Sequence, residues 1–179
     1  MPLATQVLLA ALVLVAGVWD IRYRRIPNWL VATGLILGIA LNSFLFEWAG
    51  LKTSLLGVGL AFIIYFPLYL LRGMGAGDVK LMMAVGALVG PMPWFGIFLI
   101  TGILGGVIGI VFLLARGRLR KTLWNVGFLL HRMMQLKAPY ATNPELDVRS
   151  GQGVRLPHGA VIALGTVVFL AVARYMARS

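Results

Sequence analysis

Apolar positions along this chain are grouped in long blocks that short polar segments separate. Most of the blocks have about the 17–25 residues that a helix needs to cross a bilayer. We therefore predict an all-α integral membrane protein, one domain over residues 1–179, with about six transmembrane helices. The predicted spans are about 3–19, 29–46, 54–71, 78–90, 94–115 and 157–173.

Two parts of this pattern differ from simple spans. The block 78–90 is short and is followed by Gly90-Pro-Met-Pro93, so it predicts either a half-helix or a span that uses part of the preceding glycine loop. The segment 116–156 is predicted to lie in the cytoplasm. Helical spacing of its apolar residues first indicates an interfacial amphipathic helix, and a polar loop follows.

Composition excludes an ordinary soluble domain. The 179 residues are 60% hydrophobic and 12% charged, with a mean hydropathy of +0.93, whereas soluble domains carry about 25% charged residues. The net charge of +11 lies mainly in the loops, which indicates contact with anionic lipid headgroups and not with nucleic acid. The chain has no cysteine, which excludes disulfides, thiol chemistry and Cys-ligated zinc.

The basic residues also predict an orientation. Arg22, Arg24 and Arg25 follow the first block, and four more basic residues lie in 116–121. With six spans, all but three of the 16 Lys and Arg residues fall on one face, which the positive-inside rule assigns to the cytoplasm. Both termini are then expected outside.

Two aspartates stand out because ionised carboxylates are rare beside membrane spans. Asp20 ends the first block, and Asp78 lies in a glycine-rich loop, Leu71 to Lys80. Both are predicted at the cytoplasmic face, where a carboxylate pair in a low-dielectric cleft would share one proton. Such a pair can activate water for hydrolysis without a metal or a cofactor.

Each aspartate also has a purely structural interpretation. Asp20 is equally consistent with a helix-end residue neutralised by Arg22 or Arg24, and Asp78 with an N-cap of the following helix. Lys80 is expected to tune Asp78 or, more simply, to extend to lipid headgroups. His131 and His158 have no partner at metal-ligand spacing, so neither is predicted to bind a metal.

Three stretches together resemble the bacterial prepilin peptidases, the type IV leader peptidases of the GxGD aspartyl protease group. They are Asp20 with Arg-Arg-Ile-Pro-Asn at 24–28, the Gly75-Ala-Gly-Asp-Val-Lys80 loop, and Leu156-Pro-His-Gly at the start of the last block. The resemblance implies a peptidase of the bacterial inner membrane with Asp20 and Asp78 as catalytic aspartates. It also implies that Gly75, Gly77 and Lys80 support the site.

The resemblance further implies the substrate, the short basic leader of Flp-like prepilins or of pseudopilins. Full-length members carry a cysteine-containing region that is associated with zinc and N-methylation. We expect this chain to be a short form without that region, because Asp20 lies near its start and cysteine is absent. The oligomeric state stays open.

Two other functions fit parts of the sequence. One is a different GxGD intramembrane protease, although Trp19 stands where a Tyr-Asp pairing would need tyrosine and no Pro-Ala-Leu string occurs. The other is a non-enzymatic scaffold or a cation-coupled transporter whose aspartates bind a cation or a proton. Transporters of that kind show repeated broken helices, and this chain has one broken block and no convincing repeat.

Overall fold

A computed structural model describes residues 1–70, 74–115 and 157–177, and these residues form α-helices joined by short connections. The helices are α1 (Leu3–Tyr23), α2 (Asn28–Leu70), α3 (Ala76–Val89), α4 (Pro91–Ala115) and α5 (His158–Met176). The prediction of an all-α protein is confirmed for this part of the chain. The amphipathic helix and loop predicted within 116–156 lie outside the described residues.

Four helices are long and apolar enough to cross a membrane, namely α1, α2, α4 and α5. Large apolar side chains such as Phe44, Ile63 and Ile103 are exposed on them, as expected of surfaces that face lipid. The predicted count of six spans is not confirmed. At 1.5 Å per residue, the 14 residues of α3 extend about 21 Å, which is short of a bilayer core of about 30 Å.

The second and third predicted spans form one hairpin within α2. Glu47 has φ 52° and ψ −133°, and the two helical arms join there. The side chains of Asn42 and Ser54 are 3.0 Å apart although they are 12 positions apart, so the chain reverses at Glu47. The predicted spans 29–46 and 54–71 left a longer connection between them, whereas one residue with a positive φ makes the turn.

The short helix α3 forms the centre of the core. Most of its side chains are buried, and Leu81, Met82, Ala84 and Val85 are completely so. It packs mainly against α2, where a side chain on Gly57 would collide with the backbone carbonyl of Gly86. The two backbones can approach this closely only because both positions are glycine.

The last turn of α3 ends among apolar side chains, where free carbonyl groups would be costly. The Asn42 amide donates to the carbonyl oxygens of Ala87 and Leu88, each at 2.9 Å. The Ser54 hydroxyl donates to the Ala87 carbonyl at 2.7 Å, and the Trp94 indole N–H donates to the Met82 carbonyl at 2.9 Å. Side chains of α2 thus replace the water that would otherwise solvate this helix end, and the Trp94 contact connects α4 to the middle of α3.

Replacing Asn42 with leucine is expected to destabilise the protein by about 1–3 kcal/mol, because buried carbonyls lose their donor. Ser43→Ala is the matched control, since the neighbouring Ser43 hydroxyl is buried without a hydrogen-bond partner. Thermal unfolding in detergent should show a lower midpoint for Asn42→Leu and an unchanged or higher one for Ser43→Ala. Equal midpoints for the two variants would contradict this account of the α3 terminus.

A second pair of variants tests the close approach of α2 and α3. Gly57→Ala inserts a methyl group against the Gly86 backbone, whereas Gly59→Ala, two residues along the same helix, meets open space. Overpacking of this kind destabilises by about 1–3 kcal/mol, and alanine in an open helical position stabilises relative to glycine. The unfolding midpoint should therefore fall for Gly57→Ala and hold or rise for Gly59→Ala.

Candidate active site

Asp20 lies in the last turn of α1, because the helix continues to Tyr23 and does not end at residue 19 as predicted. Arg24 then takes a left-handed conformation, φ 55°, and its N–H donates to the Asp20 carbonyl at 2.8 Å. The Asp20 side chain is buried, with 7% of its surface exposed. Its Oδ2 accepts a hydrogen bond of 2.8 Å from the Gly159 backbone N–H, in the first turn of α5.

The Asp20 side chain and Gly159 are in close contact. A Cβ atom on Gly159 would lie 3.0 Å from both the Asp20 Cβ and the Ile26 Cδ1. Ile26 also packs against Gly77, where an added Cβ would be 3.3 Å from the Ile26 Cβ. This one buried side chain in the basic loop therefore joins the start of α3 to the start of α5.

Asp78 lies in the first turn of α3, outside the four helices that are long enough to cross a membrane. The alternative interpretation of Asp78 as an N-cap is wrong, since Gly75 is the N-cap and Asp78 is the third helical residue. From that position the Asp78 carboxylate forms a hydrogen bond with the backbone of Gly75. The same geometry is found for acidic residues in a capping box.

The structure brings the two aspartates within electrostatic range of each other. The pKa of the Asp78 carboxyl is raised to about 6, chiefly by burial, and the charge of Asp20 acts in the same direction. His158 and the hydrogen bond with Gly75 act in the opposite direction. Two interacting carboxyls in a poorly solvated site titrate as a pair. Over some pH range one of them still holds its proton while the other is ionised.

Lys80 lies on the other side of α3, since two residues along a helix are about 200° apart. Its ammonium group donates to the Asn28 side-chain oxygen at 3.0 Å. The two residues line an apolar surface cleft of about 350 Å³ between α2 and α3. Lys80 therefore connects the start of α2 to α3. This hydrogen bond is neither of the two roles expected for Lys80, which were tuning of Asp78 and extension to lipid headgroups.

Sequence reasoning missed three residues beside the pair. His158 was treated as an isolated histidine, yet it interacts electrostatically with Asp78. Tyr65 of α2 is buried and also lies within range of the Asp78 charge. Ile26 could have been recognised from the sequence, because it is the apolar residue within the basic loop 22–28. The positions of His158 and Tyr65 depend on how α5 and α2 pack, which has no local signature.

Within residues 1–70, 74–115 and 157–177, no group of three His, Asp or Glu side chains is placed to hold a metal ion. A carboxylate can take a proton from water, and a neighbouring protonated carboxyl can donate one to a carbonyl oxygen. Two interacting carboxyls can therefore support acid–base chemistry.

Comparison with known proteins assigns a family to this membrane fold. Residues 7–110, more than half of the chain, match the model of the type IV leader peptidase family. The chain belongs to that family, which is one of peptidases of the aspartic type. The matched region contains both Asp20 and Asp78. No solved structure gives a significant match.

One curated relative is the prepilin leader peptidase/N-methyltransferase of Xanthomonas campestris pv. campestris. It is 32% identical over 123 residues, which make up 65% of this chain and 42% of the relative. The chain thus matches less than half the length of that relative.

The Asp78 carboxyl should titrate near pH 6, because its burial disfavours the ionised form. The chain has only three aspartates, Asp20, Asp78 and Asp147, so ¹³C-carboxyl labelling of aspartate gives three signals. NMR titration in detergent, with the Asp78 signal assigned by its loss in Asp78→Asn, measures the midpoint. A midpoint near the ordinary aspartate value of about 4 would contradict the described environment.

Proposed function

We propose that this chain is a membrane aspartyl endopeptidase. It removes the short basic leader of type IV prepilins, Flp-like ones included, or of pseudopilins at the cytoplasmic face of the bacterial inner membrane. Asp20 and Asp78 are its catalytic pair. The observation that carries this proposal is the approach of these two carboxyls, 58 positions apart in sequence, within the region that matches the leader peptidase family.

The reaction needs one water molecule and one shared proton. The ionised carboxylate takes a proton from water as its oxygen attacks the scissile carbonyl carbon, and the protonated carboxyl donates its proton to the carbonyl oxygen. The tetrahedral intermediate, which carries two hydroxyl groups, then collapses and its C–N bond breaks. The carboxyl that gained a proton passes it to the leaving amine, and the carboxylate that gave one away takes a proton back from a hydroxyl of the intermediate. The products are a carboxylic acid and an amine, and the pair returns to its starting protonation.

The position of the pair at helix ends supports cleavage at the membrane boundary. Asp20 lies one turn from the end of α1, and Asp78 lies in the first turn of α3. Arg22, Arg24 and Arg25 lie beside Asp20 in the chain, and such residues favour the cytoplasmic side and anionic headgroups. A leader rich in Lys or Arg would also stay in the cytoplasm, which leaves the peptide bond after it at the depth of the pair.

The test is a cleavage assay in membranes in which each variant is co-expressed with a candidate prepilin and leader removal is followed by gel shift. Asp20→Asn and Asp78→Asn are each expected to lower cleavage at least about 100-fold, because an amide cannot perform acid–base catalysis. Glu47→Gln is the matched control, since it removes an exposed carboxylate at the turn of α2.

Normal cleavage by either asparagine variant, at wild-type protein levels, would exclude the two-aspartate mechanism. If the wild type cleaves no leader but cuts within an apolar helix, the chain is a different GxGD intramembrane protease. If it cleaves neither kind of substrate, a scaffold or a cation-coupled transporter becomes the better interpretation of the fold.

A further inference from the structure

The first turn of α5 contacts the aspartate pair through its backbone. The Gly159 N–H lies 2.8 Å from Asp20 Oδ2 and points at it from the start of a 19-residue helix. Backbone N–H groups in the first turn of a helix have no partner within the helix, and the helix dipole there favours a negative charge. This contact therefore fixes the direction of the Asp20 carboxyl oxygens.

Glycine at 159 is a geometric requirement of this contact. A Cβ atom there would press on the Asp20 Cβ and on the Ile26 Cδ1, each at 3.0 Å. One turn deeper the helices stay equally close, since a Cβ on Gly17 would lie 2.9 Å from the Ala163 Cβ. The start of α5 is thus held against α1 with no space for a larger residue.

The same turn reaches the other aspartate through a side chain. His158 precedes Gly159 and is exposed, and its positive form favours ionisation of Asp78. Asp20 on α1 also interacts with Asp78, and Tyr65 on α2 lies within range of the Asp78 charge. Helix α4 carries no ionisable residue, and Lys80 donates to Asn28.

We propose that the first turn of α5 is the positioning element of the aspartate pair and gives its two members different roles. Gly159 holds the Asp20 carboxyl in a fixed orientation, as the base that activates water, and His158 in the same turn acts on Asp78, the proton donor. Both are positioning residues, since they act through the aspartates. The inference rests on the proposed peptidase function for the roles, but its two contacts can be tested without activity.

The first test measures the His158 contact. His158→Gln removes an exposed side chain whose positive form favours ionisation of Asp78, so the Asp78 carboxyl should titrate at higher pH in the ¹³C experiment. Because an acid must be protonated to act, the high-pH limb of the kcat/KM profile should move upward with it. Lys80→Gln is the control for the titration, since it removes a nearby charge that lies on the other side of α3. An unmoved Asp78 midpoint in His158→Gln, or an equal shift in Lys80→Gln, would overturn the role of His158.

The second test measures the Gly159 contact. Gly159→Ala should displace the turn from Asp20 and shift the Asp20 carboxyl resonance. It should also lower kcat at least about tenfold with KM changed less than about twofold, because small misplacements impair catalysis far more than binding. Gly102→Ala is the matched control, since a Cβ on Gly102 meets open space. If Gly159→Ala does not fold, Ile26→Val combined with it removes the Ile26 Cδ1 contact and keeps the contact with Asp20.

The outcomes separate this inference from the proposed function. Normal kcat and an unmoved Asp20 resonance in the Gly159 variant overturn the inference, while loss of cleavage in Asp20→Asn and Asp78→Asn still supports the peptidase. If the wild type cleaves no leader, the peptidase proposal fails, and the two carboxyl resonances still decide whether the turn positions the pair.

Discussion

A helix that ends inside the protein interior is the constraint on which the rest of this structure depends. The 14 residues of α3 are too few to reach across a bilayer, so the last carbonyl groups of the helix lie among apolar side chains. Asn42 and Ser54 supply donors for them from the two arms of the α2 hairpin. The hairpin in turn can surround α3 because Gly57 and Gly86 let the two backbones meet. The polar side chains that bind the end of α3 and the glycines that let it approach α2 therefore act together. They stabilise α3 and also fix its position.

The candidate site lies where this short helix begins. Three helix termini meet there, namely the end of α1, the start of α3 and the start of α5, and each contributes groups that a continuous helix would use internally. Gly75 interacts with the Asp78 carboxylate, and Gly159 donates its N–H to Asp20. Charged carboxyls beside a membrane interior need such partners, because burial without them disfavours the ionised form. The unequal surroundings of the two aspartates are what acid–base chemistry at a shared site requires.

The glycines and the single isoleucine of the site show how little side-chain bulk the arrangement allows. Ile26 packs against Gly77 on one side and Gly159 on the other, so the basic loop after α1 is held to the starts of two helices. This contact explains why an apolar residue lies among arginines in that loop. It also couples the position of Asp20 to that of Asp78, since both depend on the same loop. Membership of the type IV leader peptidase family agrees with such a site and leaves its substrate to experiment.

Much of this could be predicted from the sequence, for physical reasons that act locally. Apolar blocks of bilayer length predict helices because backbone groups in lipid must bond within their own segment, and a carboxylate beside such a block stands out because its burial is costly. The structure brings Asp20 and Asp78 within electrostatic range of each other. It alone decided that α3 is too short to span, that Glu47 turns α2 within one residue, and that Lys80 donates to Asn28. It also decided that His158 and Gly159 lie beside the aspartates. Those features depend on contacts between residues far apart in the chain, such as Asp20 and Gly159, 139 positions apart, and no local pattern of residues encodes them.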